Sequence, residues 1–378
     1  MRALIAAAAA GPEALAHCVR GTGAERVVGW LVDDLLSRVD HDTARHHDEH
    51  ATVAVQLELE WEGAVMPYAV VLAASGTQHG HGRFRVPNIV IRQSLIELAL
   101  GLFGTGCGAR QATSCVRVEP ATESAGASMA VRDVARLFLD AASGASRSLA
   151  ELAVAHGSDK WGLHYYTDAY ERHFAPLRNH VSTVLELGIG GYGHPMSGGA
   201  SLRMWKRYFH RAMVYGVDLF DKSAIEEQRI TALQGDESDE QFLEDIVART
   251  GPLDVVVDDG SHISANSITA FRGLWPHVRP GGYYVIEDLY TSYWPGYLGD
   301  DVQPGGQGST IGMIKGLVDQ LHDDEEDGTH DVMALHLYRH LVFIQKGNNR
   351  QGLTPQWVPR TALSVEEMIP PAHLVESS

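Results

Sequence analysis

From about residue 146 the chain repeats one grammar: a short, almost wholly apolar run rich in branched residues, then a helical stretch, then another such run. The runs are VSTVLELG (181–188), MVYGVD (213–218), ITALQGD (230–236), LDVVVDD (253–259) and YYVIED (283–288). LRMWKRYF (202–209) and DEQFLEDIVART (239–250) are among the helices between them. Strands that are apolar throughout must be buried on both faces, which calls for a mostly parallel sheet covered by helices on each side. Late in the chain, DVMALHLYR and HLVFIQKG lie close enough to pair antiparallel, so one reversed strand is expected at the edge. In such α/β sheets ligands bind beyond the carboxyl ends of the strands, where strand order reverses. The polar residues at those ends are therefore the ones to read for function.

The region before residue 145 has a different pattern. AERVVGWLVDDLLSRV (24–39) is helical in period. TVAVQLELEWE (52–62) alternates: Val53, Val55, Leu57, Leu59 and Trp61 face one way, and Gln56, Glu58 and Glu60 the other. This predicts a strand with one wet face. Glu62-Gly63 can turn the chain into a second strand, VMPYAVVLAA (65–74), before a loop, SGTQHGHG (75–82). His79 and His81 in that loop have no partner at ligand spacing and are assigned no role. PNIVIRQSLIELALGLFG (87–104) reads as an amphipathic helix with Pro87 near its start. EPATESAGAS (119–128) suits a linker, and RDVARLFLDAAS (132–143) a helix leading into the second region. The expected organisation is an N-terminal α+β auxiliary domain over 1–145 and an α/β domain over 146–378.

Composition excludes some partners. With 48 acidic against 30 basic side chains the formal charge is −18, which argues against nucleic acid, whose phosphates need a basic face. The content of 44% hydrophobic residues fits a chain with a buried core. Cys18, Cys107 and Cys115 are odd in number and far apart, so a reducing interior is expected and no disulfide framework. The start, MRALIAAAAAGPEALAH, faintly resembles a secretory signal, but its basic region is minimal; a first helix broken near Gly11-Pro12 is the reading adopted. No run approaches the roughly 18 apolar residues of a membrane span. A cytoplasmic protein without membrane partners is expected.

The strand ends carry the chemistry. The first ends ELGIGGYG (186–193), where glycines let a ligand approach the backbone, although an ordinary tight turn would use the same residues. GxGG differs from the GxGxxG fingerprint and weakens a dinucleotide reading. The second ends in Asp218, able to bond a ribose or merely to cap a helix; the third ends QGD, Gln234 to Asp236, suited to an adenine edge. Acid–GxGG, Asp and QGD on three successive strands look like the S-adenosylmethionine site of Rossmann-like methyltransferases. VVVDDGSH (255–262) ends the fourth strand and IED (286–288) the fifth. Side by side, Asp259, Glu287 and Asp288 would repel unless protons or a cation intervene, and hard oxygen ligands suit Mg2+ better than zinc. His262, three residues beyond Asp259, can take a proton from an alcohol whose ionised form a cation stabilises. The alternatives are that Asp258 and Ser261 cap the following helix, SANSITAFRGL, and that His262 is a ligand or an exposed turn residue.

Longer stretches resemble one family. SDKWGLHYYTDAYERHF (158–174), LELGIGGYGHPMSGGASLRMW (185–205), VVVDDGSH and YYVIEDLYTSYWPGY (283–297) are similar to the metal-dependent sugar O-methyltransferases of macrolide tailoring. The likeness is dense from about 150 to 360 and diffuse before 130. The resemblance implies a Rossmann-like class I methyltransferase with an auxiliary domain, S-adenosylmethionine as donor and Mg2+ as cofactor. It implies Asp259, Glu287 and Asp288 as metal ligands and His262 as general base. Glu186, Gly188, Ser201, Asp218, Gln234 and Asp236 fall in its donor-binding segments, and Thr167 and Arg203 are candidates for the methionine end; Ser201 and Arg203 could equally only open a helix. It further implies a deoxysugar hydroxyl, the 2-hydroxyl, on a glycosylated natural product as acceptor, and a homotetramer in which the N-terminal domain helps close a neighbour's site. YTSYWPGY (290–297) could wall the acceptor or simply pack a loop. Rival readings are methylation of a catechol or other small vicinal diol, a non-catalytic module that keeps the adenosine site, and hydride transfer.

Overall fold

The computed structural model describes residues 1–39, 52–73, 76–105, 117–120, 137–138, 141–142, 147–322, 331–347 and 361–364. The chain begins with α1 (Arg2–Ala10), α2 (Pro12–Thr22) and α3 (Ala24–Arg38). Gly11, at φ 115°, and Pro12, which has no N–H to lose at a first helical position, separate the first two helices. A five-stranded sheet follows in the order β3-β2-β1-β4-β5. Its strands are β1 (Val53–Trp61), β2 (Ala64–Ala73), β3 (Gly76–His81), β4 (Ile89–Ser94) and β5 (Arg117–Pro120), with α4 (Leu95–Phe103) after β4. Glu62 and Gly63 join β1 to β2 as a two-residue turn, both in the left-handed region that such hairpins require.

Three expectations for this part are corrected. SGTQHGHG is not a loop: its residues Gly76–His81 pair antiparallel with β2, and Tyr68 lays its ring against both His79 and His81. Its glycines and polar residues carry no hydrophobic period, so only the backbone pairing reveals the strand. PNIVIRQSLIELALGLFG is half strand: Ile89–Ser94 runs parallel to β1, and the helix starts only at Leu95. The third correction concerns the expected wet face of β1, where Gln56 and Glu58 are buried. The Gln56 amide donates to the carbonyls of Tyr68 and Gly82 and accepts from the Phe84 N–H. Glu58 is held at 2.7 Å by both Arg83 and Arg92. A polar face can be buried when each group finds a partner, which alternation alone does not show. Most of the proposed linker (121–128), much of 132–143, and Cys107 and Cys115 lie outside the described residues.

The seven-stranded sheet has the order β11-β12-β10-β9-β6-β7-β8. The strands are β6 (Thr183–Leu187), β7 (Met213–Asp218), β8 (Ile230–Gln234), β9 (Leu253–Asp258), β10 (Val278–Ile286), β11 (Val332–Tyr338) and β12 (Leu341–Lys346). Helices α5 (Leu149–His156), α6 (Thr167–Phe174), α7 (Ala200–Tyr208), α8 (Glu240–Thr250), α9 (Ser264–Leu274) and α10 (Thr310–His322) accompany it. Alternate residues of each strand serve opposite layers. Val184, Val214, Val255 and Val257 pack with residues of α5, α6 and α7, whereas Leu185, Leu187, Val217 and Val256 pack with residues of α8, α9 and α10. Both faces are covered, as continuous apolar strands require. The reversed strand is β12, which lies between β10 and β11 and so sits one place in from the edge. No helix among the described residues is long and apolar enough to cross a membrane.

One core of buried residues ends with Ala142 and the next begins at Leu149. They are joined through a buried ionic cluster. Asp34 of α3 accepts from Arg38 at 2.6 Å and from Arg229, at the start of β8, at 2.6 Å. Arg229 also donates to the carbonyls of Lys206 and Ala212, and Arg38 to that of Leu102.

Candidate active site

Register sets the geometry. Leu187, Asp258 and Ile286 are partners across β6, β9 and β10, so Gly188, Asp259 and Glu287 emerge side by side just past the strand ends. The Asp259 N–H donates to the Leu187 carbonyl and the Glu287 N–H to that of Asp258, each at 3.0 Å. After β6 the chain moves outward to β7 and β8, then returns to β9 on the other side of β6. The β6/β9 crevice is therefore where strand order reverses, the place at which such sheets bind ligands.

Among the described residues, Asp259, His262 and Asp288 offer ligand atoms within 4.8 Å of one another. His262 Nε2 lies 3.9 Å from Asp259 Oδ1 and 3.7 Å from Asp288 Oδ2, too far to be locked by either. His262 (φ 58°) and Asp288 (φ 53°) both hold left-handed backbones, strained for residues with a Cβ and concentrated in proteins where function demands them. The helix-capping alternative is not realised: α9 has Ile263 at its N-cap and no side-chain cap, and Ser261 Oγ instead accepts from Ile263 N–H and Asn266. Two carboxylates and an imidazole form a mainly oxygen donor set that fits a hard divalent ion.

Glu287 stands one step back. Its Oε1 accepts from Lys160 at 2.7 Å and from the Tyr170 hydroxyl. Lys160 is fully buried, and its ammonium also reaches Asp259 Oδ2 at 2.7 Å and Glu186 Oε1 at 3.3 Å. Burial alone would drive Lys160 neutral; the charges of Asp259, Glu287 and Glu186 outweigh it and hold its pKa well above the ordinary lysine value. Tyr166 donates to Asp288 Oδ1 at 2.7 Å and Tyr290 to Oδ2 at 3.0 Å. Tyr166 and Tyr170 are four residues apart, hence on one helical face, and they serve the consecutive acids Asp288 and Glu287. Sequence reading assigned no role to Lys160, Tyr166 or Tyr170. The available signal was the lysine of SDKWG in a chain whose strand-end acids need a buried counter-charge.

The remaining candidates separate into two groups. Gly188, Asp218, Gln234 and Asp236 line the ends of β6, β7 and β8. Asp218 accepts from the Ile189 and Phe220 N–H groups, and is the register partner of Gln234. Two bonds from Ser238 hold Asp236, and these keep its pKa below the usual value. Glu186 lies fully buried beneath the glycine turn, bonded by Ser201 at 2.7 Å; burial, reinforced by Asp259, lifts its pKa to about 7. Thr167 is buried at the start of α6. Arg203 points elsewhere, donating to the Gly198 carbonyl and lying 3.7 Å from Glu227. Two residues along a helix turn a side chain by about 200°, so Ser201 and Arg203 leave α7 on opposite sides.

At Gly188, φ is +87°, and an added Cβ would lie 2.0 Å from the Asp259 carbonyl oxygen. Gly188→Ala is expected to cost at least about 1–2 kcal/mol from the backbone alone, lowering Tm and weakening S-adenosylhomocysteine binding in calorimetric titration. Wild-type values for both would show that the close approach is dispensable.

Comparison with known proteins places these features in context. A family model described as MycE methyltransferase N-terminal matches residues 1–114. The chain is 40% identical to demethylmacrocin O-methyltransferase of Streptomyces fradiae, over 95% of this chain and 94% of that protein. It is 39% identical to 8-demethyl-8-alpha-L-rhamnosyl tetracenomycin-C 2'-O-methyltransferase of Streptomyces olivaceus, over 88% and 91% of the two chains. A solved structure of MycE methyltransferase from the mycinamycin biosynthetic pathway, in complex with Mg, SAH and mycinamycin VI, superposes with a TM-score of 0.83 at 32% identity, over 95% of this chain and 96% of that one.

Proposed function

We infer the reaction of this enzyme from one premise: the chain belongs to the sugar O-methyltransferases of macrolide tailoring. Its activity is S-adenosylmethionine-dependent methylation of a sugar hydroxyl. The finer proposal is Mg2+-dependent transfer to the 2-hydroxyl of a deoxysugar on a macrolide or related glycosylated natural product. The observation that carries it is the contact of two half-sites: the glycine turn at Gly188 touches the Asp259 backbone, while Asp259, His262 and Asp288 converge within 4.8 Å.

In this proposal Gly188, Asp218, Gln234 and Asp236 seat the donor, with Glu186 and Ser201 supporting the turn from below. Asp259 and Asp288 hold the ion, with Glu287 beside them. When bound, the donor supplies a methyl group on a sulfonium and the ion supplies positive charge beside the acceptor hydroxyl. Lys160 draws Asp259 Oδ2 inward, leaving Oδ1 on the side of His262. His262 Nε2 accepts the hydroxyl proton. Tyr166 and Tyr290 fix both oxygens of Asp288. Trp161, Leu163, Tyr165, Tyr293 and Trp294 are exposed apolar side chains on the two segments that carry Lys160 and Asp288. Such a rim supports an acceptor with a large apolar aglycone over a small catechol.

Excess chelator is expected to abolish turnover of a glycosylated macrolide, and added Mg2+ to restore it; full turnover in chelator would refute the metal assignment. A product panel read by mass gain of one methylene and by NMR position separates sugar 2-hydroxyl methylation from catechol methylation. The break between the two cores, from Ala142 to Leu149, supports the domain boundary near 145, and family membership supports a homotetramer in which the N-terminal unit closes a neighbouring site, which sedimentation velocity would contradict by showing a monomer.

A further inference from the structure

Away from the strand ends, a cavity of about 280 Å3 lies between the end of α3, the end of α5 and the body of α7. Among the described residues, its charged lining is six cations, Arg38, Arg147, Arg203, Lys206, Arg207 and Arg229, against one carboxylate, Glu227. In a chain of formal charge −18, this is a local inversion of sign. Two acids account for four of the cations: Asp34 holds Arg38 and Arg229, and Glu227 lies 3.1 Å from Lys206 and 3.7 Å from Arg203.

Two donors are left over. Arg38 is buried, yet its Nη1 has no hydrogen-bond partner among the described residues. Arg207 likewise makes no hydrogen bond or ion pair among them. Burial and the adjacent Arg38 charge push the Arg207 pKa down to about 9, and burial with Arg203 pushes His156 down to about 4. Packing like charges out of water is unfavourable unless an opposite charge is brought among them. Planar guanidinium forks match phosphate oxygens in geometry as well as charge. The volume corresponds to roughly nine waters at about 30 Å3 each, ample for a phosphoryl group.

We propose that this cavity is a binding site for a phosphate-bearing anion, held by Arg38 and Arg207 and clamping α3 of the first unit to α7 of the second. Arg38 comes from one core and Arg207 from the other, so occupancy stabilises their packing by mass action.

The test is a titration with orthophosphate, pyrophosphate and a nucleoside diphosphate, each against sodium chloride at matched ionic strength, followed by thermal melting and calorimetry. At least one of the three is expected to raise Tm saturably with one site per chain, and their ranking identifies the natural source. Arg207→Gln should weaken that binding about tenfold or more, and Arg207→Lys should restore part of it, with far-UV circular dichroism confirming both folds. No rise beyond the chloride control, or an equal rise in Arg207→Gln, would overturn the proposal.

Discussion

His262→Ala is expected to lower methyl transfer by about 10²–10⁴-fold, the range that a positioned proton acceptor contributes. S-adenosylhomocysteine affinity should stay near wild type, because His262 lies on the β9 side of the crevice and not along the ends of β6, β7 and β8. Its Nε2 is 3.7 Å or more from both neighbouring carboxylates, so neither bond fixes the ring and the nitrogen can meet an incoming hydroxyl. Metal affinity decides between two roles for the residue. A base leaves Mn2+ binding to Asp259 and Asp288 largely intact on removal, whereas a ligand takes that binding with it. Unchanged turnover in the variant would dismiss the base, and loss of Mn2+ binding would make His262 a ligand.

Asp34→Ala should destabilise the fold by about 3–5 kcal/mol, the cost of leaving buried charges without their partner. At about 2–4 °C per kcal/mol, this is a Tm loss on the order of 10 °C. Asp34 and the Arg38 and Arg229 side chains it holds are almost fully excluded from water, so solvent cannot replace the lost charge. The effect also depends on pH. Burial alone would raise the Asp34 pKa, but Arg229 and then Arg38 override it and leave the carboxyl far below the ordinary range. A depressed folded-state pKa contributes stability that is complete above the unfolded value of about 4 and is lost as pH falls below it. The difference in Tm between wild type and variant should therefore be full at pH 7 and narrow below pH about 4. A difference constant with pH would show that shape, not charge, is what Asp34 contributes.

Errors of the sequence reading lie mainly in the first unit, and they share a cause. β3 is made of glycine, threonine, glutamine and histidine, so its identity rests on hydrogen bonds to β2 and on the Tyr68 ring, neither of which has a period. The break between β4 and α4 falls inside an apolar stretch where strand and helix patterns overlap. In the second unit the central strands are buried on both faces, and their apolar runs marked their positions. The glycine turn, the acids at the ends of β9 and β10, and His262 followed from those strand positions. Lys160 did not, because it belongs to a stretch without regular structure, and the two acids it bonds at 2.7 Å, Asp259 and Glu287, lie 99 and 127 residues away in sequence.

Local chemistry thus determined which segments become strands, on which faces they are buried, and which polar residues stand at their carboxyl ends, since burial on a parallel sheet constrains every residue of a strand. Only the tertiary structure decided which acids share one space. Register placed Asp259 beside Gly188, helical phase turned Arg203 away from Ser201, and the path of the 157–166 segment brought Lys160 to Glu287. Those pairings depend on distances between parts of the chain remote in sequence, and electrostatic energy depends on distance in space.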